Sequence, residues 1–290
     1  MNKMFKIVAL SLAATCIIGV GLAFAADDQK PAEATPAAAA AAPAPDVTGS
    51  VSFSALNQYI FRGAEVSSKS LVLQPSVTIN YKGFSLNVWG NIDTDQHQTQ
   101  VFIPGKATDA SGVGVGQGQK SFNETDLTLS YTYAIDKLSL TGGYVYYGTE
   151  YAQQTQELFI SATYDIISHP TIAIYRDIDA YPGTYANLSF SQSLPVYKLS
   201  TGDVTVDLGA SFGYYNIGGN NAKTYSALHD GMVKAGLTIP VAKNVVVQPI
   251  LQYWYPLSGK AHKSDPNTDN NPAAHIDSSF VYGLALTLNF

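Results

Sequence analysis

The chain is poor in charged residues. Asp, Glu, Lys and Arg make up 13% of its 290 residues, against about 25% in a typical soluble domain. The 16 basic residues are outnumbered by 22 acidic ones and form no basic cluster, and the net charge is −6. These features exclude a nucleic-acid partner. They favour a protein with much amphipathic surface.

Cysteine is almost absent as well. The single cysteine, Cys16, lies within residues 1–25, which have the parts of a secretory signal peptide. Lys3 and Lys6 supply the basic part, and Ala23-Phe24-Ala25 fits the small-x-small cleavage pattern. We therefore predict export through the inner membrane and cleavage after residue 25. The mature protein would have no thiol, which excludes disulfides, cysteine metal sites and a cysteine nucleophile.

Sequence variety is lacking in the next segment, residues 26–46. This segment is mostly Ala and Pro and includes an unbroken run of alanine from Ala37 to Ala42. Such a composition cannot form a hydrophobic core. We interpret it as a flexible linker, which leaves residues 47–290 as one domain.

In that domain apolar residues recur at every second position, which is the spacing of a β-strand with one apolar face. In the last segment the residues that share a face are Phe280, Tyr282, Leu284, Leu286, Leu288 and Phe290. The pattern predicts twelve strands, at 49–61, 71–82, 84–94, 122–135, 138–148, 156–167, 171–181, 184–194, 203–215, 230–241, 245–257 and 277–290. An even number of strands is typical of closed outer-membrane barrels.

Short and long connections alternate between these strands. The short ones lie at Lys82-Gly83, Asp136-Lys137 and 242–244, and the long polar ones at 95–121, 216–229 and 258–276. Large Leu, Tyr and Phe side chains occupy one face of each strand, and small or polar residues occupy the other. Lipid outside and a crowded, wet lumen inside explain this better than a soluble sandwich. We predict an all-β fold, a transmembrane antiparallel up-and-down β-barrel of about 12 strands in the outer membrane.

Charged and large residues on the predicted inner face are candidates for lining a pore. Trp89 shares its face with Asn87, and Arg62 shares the inner face with Gln58 at the end of the first strand. The candidate pore-lining residues are Arg62, Trp89, Asp93, Asp126, Glu157, Asp165, Asp207 and Lys234. Their acidic excess would favour cations in an open pore. Alternatively, these charges form a salt-bridged plug that closes a narrow lumen.

The strand predicted at 171–181 fits the pattern less well. Placing Ile172 and Ile174 toward lipid also places Arg176 there, which would cost about 2–4 kcal/mol at mid-bilayer. A bulge or the opposite register would turn Arg176 inward. The sequence leaves both placements open.

Two motifs resemble those of a known family. They are Asn57-Gln58-Tyr59-Ile60-Phe61-Arg62-Gly63 and the stretch from Gly83-Phe84 to Val88-Trp89-Gly90-Asn91. These are similar to the Y-x-F-R-G and G-x-W motifs of the TorF family of porins, also called the Gcw_chp family. The resemblance implies an outer-membrane barrel with a transport role, although residues 47–290 lack the family's name-giving cysteine. The terminal Phe290 resembles the signature recognised by the outer-membrane assembly machinery.

Motifs for catalysis and calcium binding are incomplete. Gly209-Ala210-Ser211-Phe212-Gly213 matches G-x-S-x-G, but it lies inside a predicted strand rather than at a strand-to-helix elbow. Residues 265–270 begin like a calcium loop, yet Asn270 replaces the turn glycine and Ile276 stands where a glutamate is needed. We therefore predict no catalytic residue and no cofactor.

The histidines are predicted to lie outside the strands. His97, His229, His262 and His275 fall in predicted extracellular loops, and His169 falls in a turn. Asp93, Asp95 and His97 would share one face if the third strand continued, which makes a weak metal site conceivable. The alternative is a solvated loop edge, and we predict no metal site.

The sequence thus predicts a porin that allows passive diffusion of small polar solutes or ions, and not an enzyme. Its partners would be outer-membrane lipid, the solutes, and the assembly machinery through the strand ending in Phe290. The alternative is a plugged barrel with a structural or surface-binding role through loops 95–121 and 258–276. An outer-membrane hydrolase is a third candidate.

Overall fold

The structure, a computed structural model, describes residues 47–67, 70–94, 121–150, 153–217, 225–262 and 276–290. The predicted signal peptide (1–25) and linker (26–46) lie outside the described residues, as do Asp95, His97, His275 and residues 265–270. Within these ranges no helix is long and apolar enough to cross a membrane.

The described residues form fourteen β-strands. They are β1 (Val47–Leu56), β2 (Tyr59–Phe61), β3 (Ala64–Ser67), β4 (Val72–Tyr81), β5 (Phe84–Asp93), β6 (Ser121–Ile135), β7 (Leu138–Thr149), β8 (Thr155–Tyr164), β9 (Thr171–Asp177), β10 (Gly183–Leu199), β11 (Gly202–Ile217), β12 (Tyr225–Ala242), β13 (Val245–Pro256) and β14 (Ser279–Asn289). All except β2 and β3 close into one barrel of antiparallel pairs, with β1 between β14 and β4. The predicted twelve-stranded barrel is confirmed.

The two faces of the wall follow the predicted alternation. On β14, Phe280 and Tyr282 are each 58% exposed on the outside, whereas Val281 and Ala285 are buried inside. An outer surface of exposed Leu, Ile, Val, Phe and Tyr would be unfavourable in water and is the surface that lipid covers. Closing the barrel gives each of its twelve strands two neighbours, so none of them is an edge strand.

The short connections lie together at one end of the barrel, which we call the turn end. Lys82 and Gly83 join β4 to β5 with φ values of 48° and 88°, and the flanking Tyr81 and Phe84 pair directly. Positive φ at both central residues is the geometry of a tight two-residue hairpin turn, for which glycine is favoured. Asp136-Lys137 likewise joins β6 to β7. The opposite end, with the long connections, is the loop end.

The segment predicted as the first strand, 49–61, is divided in the structure. Strand β1 stops at Leu56, and the chain then turns into the barrel and forms β2 and β3 there. Asn57 marks the change of direction: its side-chain amide donates to the Phe280 carbonyl (3.1 Å) and its oxygen accepts from the Tyr282 amide (2.7 Å). Asn57 thereby satisfies backbone groups of β14 beyond the end of β1, where the chain leaves the wall.

The structure also gives the placement of Arg176. The β8–β9 register is continuous, and Arg176 lies on the outer face with Ile172 and Ile174. It is the penultimate residue of β9, at the loop end, and donates a hydrogen bond to the Thr184 hydroxyl (3.0 Å). Neither a bulge nor the opposite register is needed, because the arginine lies near the rim of the barrel rather than at its middle.

Candidate functional site

The lumen at the loop end is filled by a small β-hairpin, residues 58–67, which we call the lumen hairpin. Its two strands pair through Phe61 and Ala64, and Arg62 and Gly63 form the turn with φ values of 46° and 76°. A side chain at Gly63 would bring a Cβ within 2.7 Å of Asp230 Cβ on the wall. Glycine is therefore required both by the turn and by the close approach of the hairpin to β12.

Apolar packing fixes the hairpin against the wall. Tyr59 and Ile60 are each 1% exposed and belong to one buried cluster with the inward side chains of Trp89, Met232 and Trp254. The ring centroids of Tyr59 and Trp89 are 5.5 Å apart. Burial of this apolar area contributes to holding the hairpin inside the lumen.

An ion pair at the tip of the hairpin links it to the opposite part of the wall. The two terminal nitrogens of Arg62 donate to the two carboxylate oxygens of Glu157 on β8, each at 2.8 Å. Tyr147 also donates its hydroxyl to Glu157, at 2.9 Å. The side chains of the pair are only 3% and 5% exposed, so both charges depend on each other in a nearly dry environment.

Aromatic rings surround the Arg62 guanidinium. Its central carbon lies 4.4 Å from the ring centroid of Tyr185, 5.1 Å from that of Tyr175 and 5.8 Å from that of Tyr215. Phe61, on the hairpin itself, lies at 4.9 Å. Cations are attracted to ring faces, and more strongly where water is excluded. We call the four wall residues Glu157, Tyr175, Tyr185 and Tyr215 the Arg62 cage.

Further contacts hold Tyr185 in place. Its hydroxyl donates to the Asp230 carboxylate at 3.1–3.2 Å and accepts from the Asn187 amide at 3.2 Å. Gly213 lies beneath this contact, where a Cβ would collide with both the Asp230 carboxylate and the Tyr185 hydroxyl. The cage is therefore built partly by a glycine of the G-x-S-x-G sequence, whose Ser211 is a buried residue inside the continuous strand β11.

The prediction that His229 lies in a loop is wrong. His229 is in β12 and is 1% exposed, and its Nδ1 forms a hydrogen bond with the Tyr225 hydroxyl at 2.7 Å. The pairing of β11 with β12 shifts between Phe212 and Tyr214. This bulge allows the consecutive residues His229 and Asp230 both to be buried, which strict alternation does not predict.

The buried charge in the described lumen is mostly acidic. Six carboxylic side chains are buried there, namely Asp93, Glu124, Asp126, Glu157, Asp177 and Asp230, against the single buried arginine Arg62. Asp93 accepts a hydrogen bond from Ser70, at the end of the connection that carries the hairpin. Neither carboxylate oxygen of Asp126 has a hydrogen-bond partner among the described residues. The loop end of the lumen thus contains more acidic than basic side chains.

The candidate pore-lining residues fall into three groups in the structure. Trp89, Asp93, Asp126 and Glu157 face the lumen near the loop end. Asp207 and Lys234 face it nearer the turn end, where Asp207 accepts hydrogen bonds from Thr205 (2.9 Å) and Thr238 (2.7 Å). The remaining two, Arg62 and Asp165, are in places other than those predicted.

Arg62 is inside the lumen, but it is at the tip of the hairpin rather than on the first wall strand. Asp165 does not line the lumen from a strand as predicted, because β8 ends at Tyr164 and Asp165 lies in the turn before β9. Its half-exposed side chain is 3.1 Å from His169 Nε2. Glu124, Asp177 and Asp230 are also buried in the lumen and are not among the predicted pore-lining residues. The Arg62 cage was not predicted either, because inward tyrosines have the same spacing as any other inward residue.

The described ranges contain histidine and carboxylate side chains, which are common metal ligands. No three His, Cys, Asp or Glu side chains there lie close enough together to hold a metal ion. The backbone of His262 forms an isolated β-bridge with Ile276, and its Nε2 lies 3.7 Å from a carboxylate oxygen of Asp277. The sequence candidates at Asp95, His97 and residues 265–270 are outside these ranges.

No protein-family model matches the chain, and no curated protein matches it. Among solved structures, the chain is similar to the NanC porin in a rhombohedral crystal form, at 9% identity and a TM-score of 0.48, over 83% of this chain and 98% of that one. It is also similar to Salmonella typhi OmpF in complex with daunomycin, at 10% identity and a TM-score of 0.36, over 84% and 97%. The anion-selective porin from Comamonas acidovorans matches at 9% identity and a TM-score of 0.31, over 84% and 98%.

The class of this protein follows from its own strand pairing and surface. A closed antiparallel ladder of twelve strands with an apolar outer face and a polar interior is a transmembrane β-barrel. Membership of the TorF family of porins stays a prediction.

Proposed function

We propose that the protein is an outer-membrane channel for small polar solutes or ions, with a preference for cations, and that the lumen hairpin is its gate. The main support is that one bidentate ion pair, Arg62–Glu157, ties the tip of a short hairpin across an acidic lumen. In this proposal the signal peptide, residues 1–25, directs export. The outer-membrane assembly machinery recognises the strand that ends in Phe290.

The attachment of the hairpin supports a gating role. Within the described residues β2 and β3 pair only with each other, whereas the wall is closed by direct pairing of β1 with β4. The hairpin can therefore leave the lumen without breaking a backbone ladder of the barrel. An isolated two-stranded hairpin is marginally stable in water, so its position depends on the side-chain contacts that it makes with the wall.

The charge of the lumen supports the preference for cations. The closed state pairs Glu157 with Arg62, and departure of the hairpin would add the Glu157 carboxylate to a lumen that already contains Asp93 and Asp126. Carboxylates along a pore raise the local concentration of cations. In the open channel the lining residues would be Trp89, Asp93, Asp126, Glu157, Asp207 and Lys234.

Single-channel recording in planar bilayers tests the proposal. The refolded wild type is expected to open briefly, because the ion pair closes it most of the time. Glu157→Gln weakens the pair and should raise the open probability by about tenfold or more, since truncating one partner of a buried charge pair has large effects. Asp207→Asn is the matched control, because it removes a lumen carboxylate that does not touch the hairpin.

The control also separates gating from selectivity. Asp207→Asn should leave the open probability unchanged and lower the cation preference, measured as the reversal potential under a salt gradient. A third protein, with residues 58–67 replaced by a short Gly-Ser linker, should conduct continuously. Silence of both the wild type and Glu157→Gln, together with conduction by the linker protein, would refute gating.

That last result would favour the second candidate function, a permanently plugged barrel with a structural or surface-binding role. The packing of Tyr59 and Ile60 against Trp89 and Trp254 supports this alternative, because deep apolar burial of this kind is expensive to reverse. The same recordings therefore discriminate between the two functions.

A further inference from the structure

The Arg62 cage contains the elements of a binding site for an organic cation. We infer that it binds a permeant cation carrying a guanidinium group, and that Arg62 is the tethered occupant of this site while the hairpin is in the lumen. The inference deepens the proposed gating function and rests on it, because in the wild-type protein the site becomes available only when the hairpin moves.

The wall supplies the essential parts of the site. Glu157, Tyr175, Tyr185 and Tyr215 lie on four consecutive wall strands, β8 to β11. Tyr185 is directly opposite Tyr175 on one side and Tyr215 on the other in the strand register. The hairpin contributes only Phe61 and the guanidinium itself to the contacts described above. Departure of the hairpin would therefore leave the carboxylate and three ring faces on the wall.

These groups are held in position by contacts with other wall residues. Tyr147 donates its hydroxyl to Glu157, and Asp230 accepts from Tyr185. The rings also contact one another, with centroids of Tyr185 and Tyr215 at 5.6 Å and of Tyr175 and Tyr185 at 6.3 Å. A site whose groups are already ordered loses little entropy when a ligand binds.

The geometry favours guanidinium over other cations. The carboxylate of Glu157 receives two parallel N–H donors from Arg62, which is the fork that a planar guanidinium offers and a single ammonium does not. A guanidinium is also weakly hydrated and stacks on aromatic faces. A sodium ion gains less from rings and loses a tightly held hydration shell. We expect the order guanidinium, then alkylammonium, then sodium.

The test is to empty the site and offer it a free guanidinium. The refolded Arg62→Ala protein is titrated with methylguanidinium chloride by calorimetry in detergent, against sodium chloride at equal ionic strength. Saturable binding of methylguanidinium is expected, at least about tenfold tighter than to the wild type, whose site is occupied. Arg176→Ala is the matched control, because it removes an arginine of the outer face and should bind as weakly as the wild type.

A second variant tests the role of the carboxylate. Arg62→Ala combined with Glu157→Gln should bind methylguanidinium at least about tenfold more weakly than Arg62→Ala alone, because the charged acceptor of the two N–H donors is gone. Equal affinity of these two proteins, or equal heats for methylguanidinium and sodium, would overturn the inference.

Folding is checked before the titration by the heat-dependent change in electrophoretic mobility of the barrel. If Arg62→Ala does not refold alone, it is refolded with millimolar methylguanidinium or with sodium chloride. A rise in folded yield with methylguanidinium only would support the site, and no difference between the two salts would overturn it.

The calorimetric result is independent of conduction. Saturable binding by a protein that never conducts would support the site and overturn the proposed channel function. Cation conduction without methylguanidinium binding would overturn the site and leave the channel function intact.

Discussion

The two halves of the lumen are built by the same alternation but filled differently. In the turn-end half many inward side chains are small, polar and buried, because the bore is narrow. They include Ser85, Ser130, Thr141, Ser161, Thr205 and Thr287. In the loop-end half the lumen contains the hairpin, both tryptophans and the Arg62 cage. The hairpin and the side chains that contact it therefore occupy only one half of the lumen.

The acidic side chains of the two halves also differ in their partners. Glu157 is 4% exposed and depends on Arg62, a residue of a separate structural element. Asp207 is less deeply buried and accepts from two threonine hydroxyls of the wall itself. A change in the loop-end half should therefore alter both the stability and the position of the hairpin, whereas a change in the turn-end half should alter neither by much.

The largest expected effect comes from breaking the buried ion pair. Arg62→Met should lower the free energy of unfolding by about 3–5 kcal/mol, because it leaves Glu157 charged, buried and unpaired. Adding Glu157→Gln should recover much of that loss, since no unpaired charge then remains. The measurement is urea-induced unfolding of the refolded barrel, followed by the emission of Trp89 and Trp254. Additive losses in the double variant would mean that the two residues are not coupled.

A smaller effect is expected from filling the space beneath the cage. Gly213→Ala places a methyl group against Tyr185 and Asp230, and such overpacking costs about 1–3 kcal/mol. The same unfolding assay should reveal the loss. Gly142→Ala is the control, because a Cβ there has the Phe159 carbonyl as its nearest neighbour, at 4.0 Å. Equal losses at the two positions would indicate a general cost of alanine rather than crowding of the cage.

The smallest effect is expected in the turn-end half. Asp207→Asn keeps a side-chain oxygen that accepts from one threonine, so the free energy of unfolding should fall by less than about 1.5 kcal/mol. Trp89 and Trp254 should keep the emission maximum of the wild type. A red shift in this variant would contradict the view that the two halves act separately.

The sequence predicts the wall of the barrel well, because apolar and polar residues alternate along the wall strands. The turn at Lys82-Gly83 was also predictable, since glycine in a two-residue connection favours the required positive φ. The same reasoning applies to Arg62-Gly63, which lies between Ile60-Phe61 and Ala64-Glu65. The hairpin was missed because residues 57–61 continue the alternation of β1, and only the tertiary structure reveals that the chain leaves the wall.

The Arg62 cage could not be predicted from the sequence. Tyr175, Tyr185 and Tyr215 are on the inner face of their strands, but nothing in the alternation indicates that one guanidinium lies among them. His229 and Asp230 are buried together only because of a bulge, which depends on the pairing of β11 with β12. Sites of this kind depend on register between strands, which periodicity along one strand does not specify.

In the proposed gate the Arg62–Glu157 pair holds a movable hairpin in the lumen. The reactivity of a single cysteine at Ala64, which is 2% exposed in the hairpin, measures how often the hairpin moves. Residues 26–290 contain no other cysteine, so modification by a water-soluble methanethiosulfonate reports this site alone. A cysteine at the exposed Gln153 serves as a reference for reagent access.

We expect slow modification of Ala64→Cys in the otherwise wild-type protein and modification about tenfold faster or more after Glu157→Gln, with Gln153→Cys unchanged. Equal rates at position 64 with and without Glu157 would mean that the ion pair does not hold the hairpin.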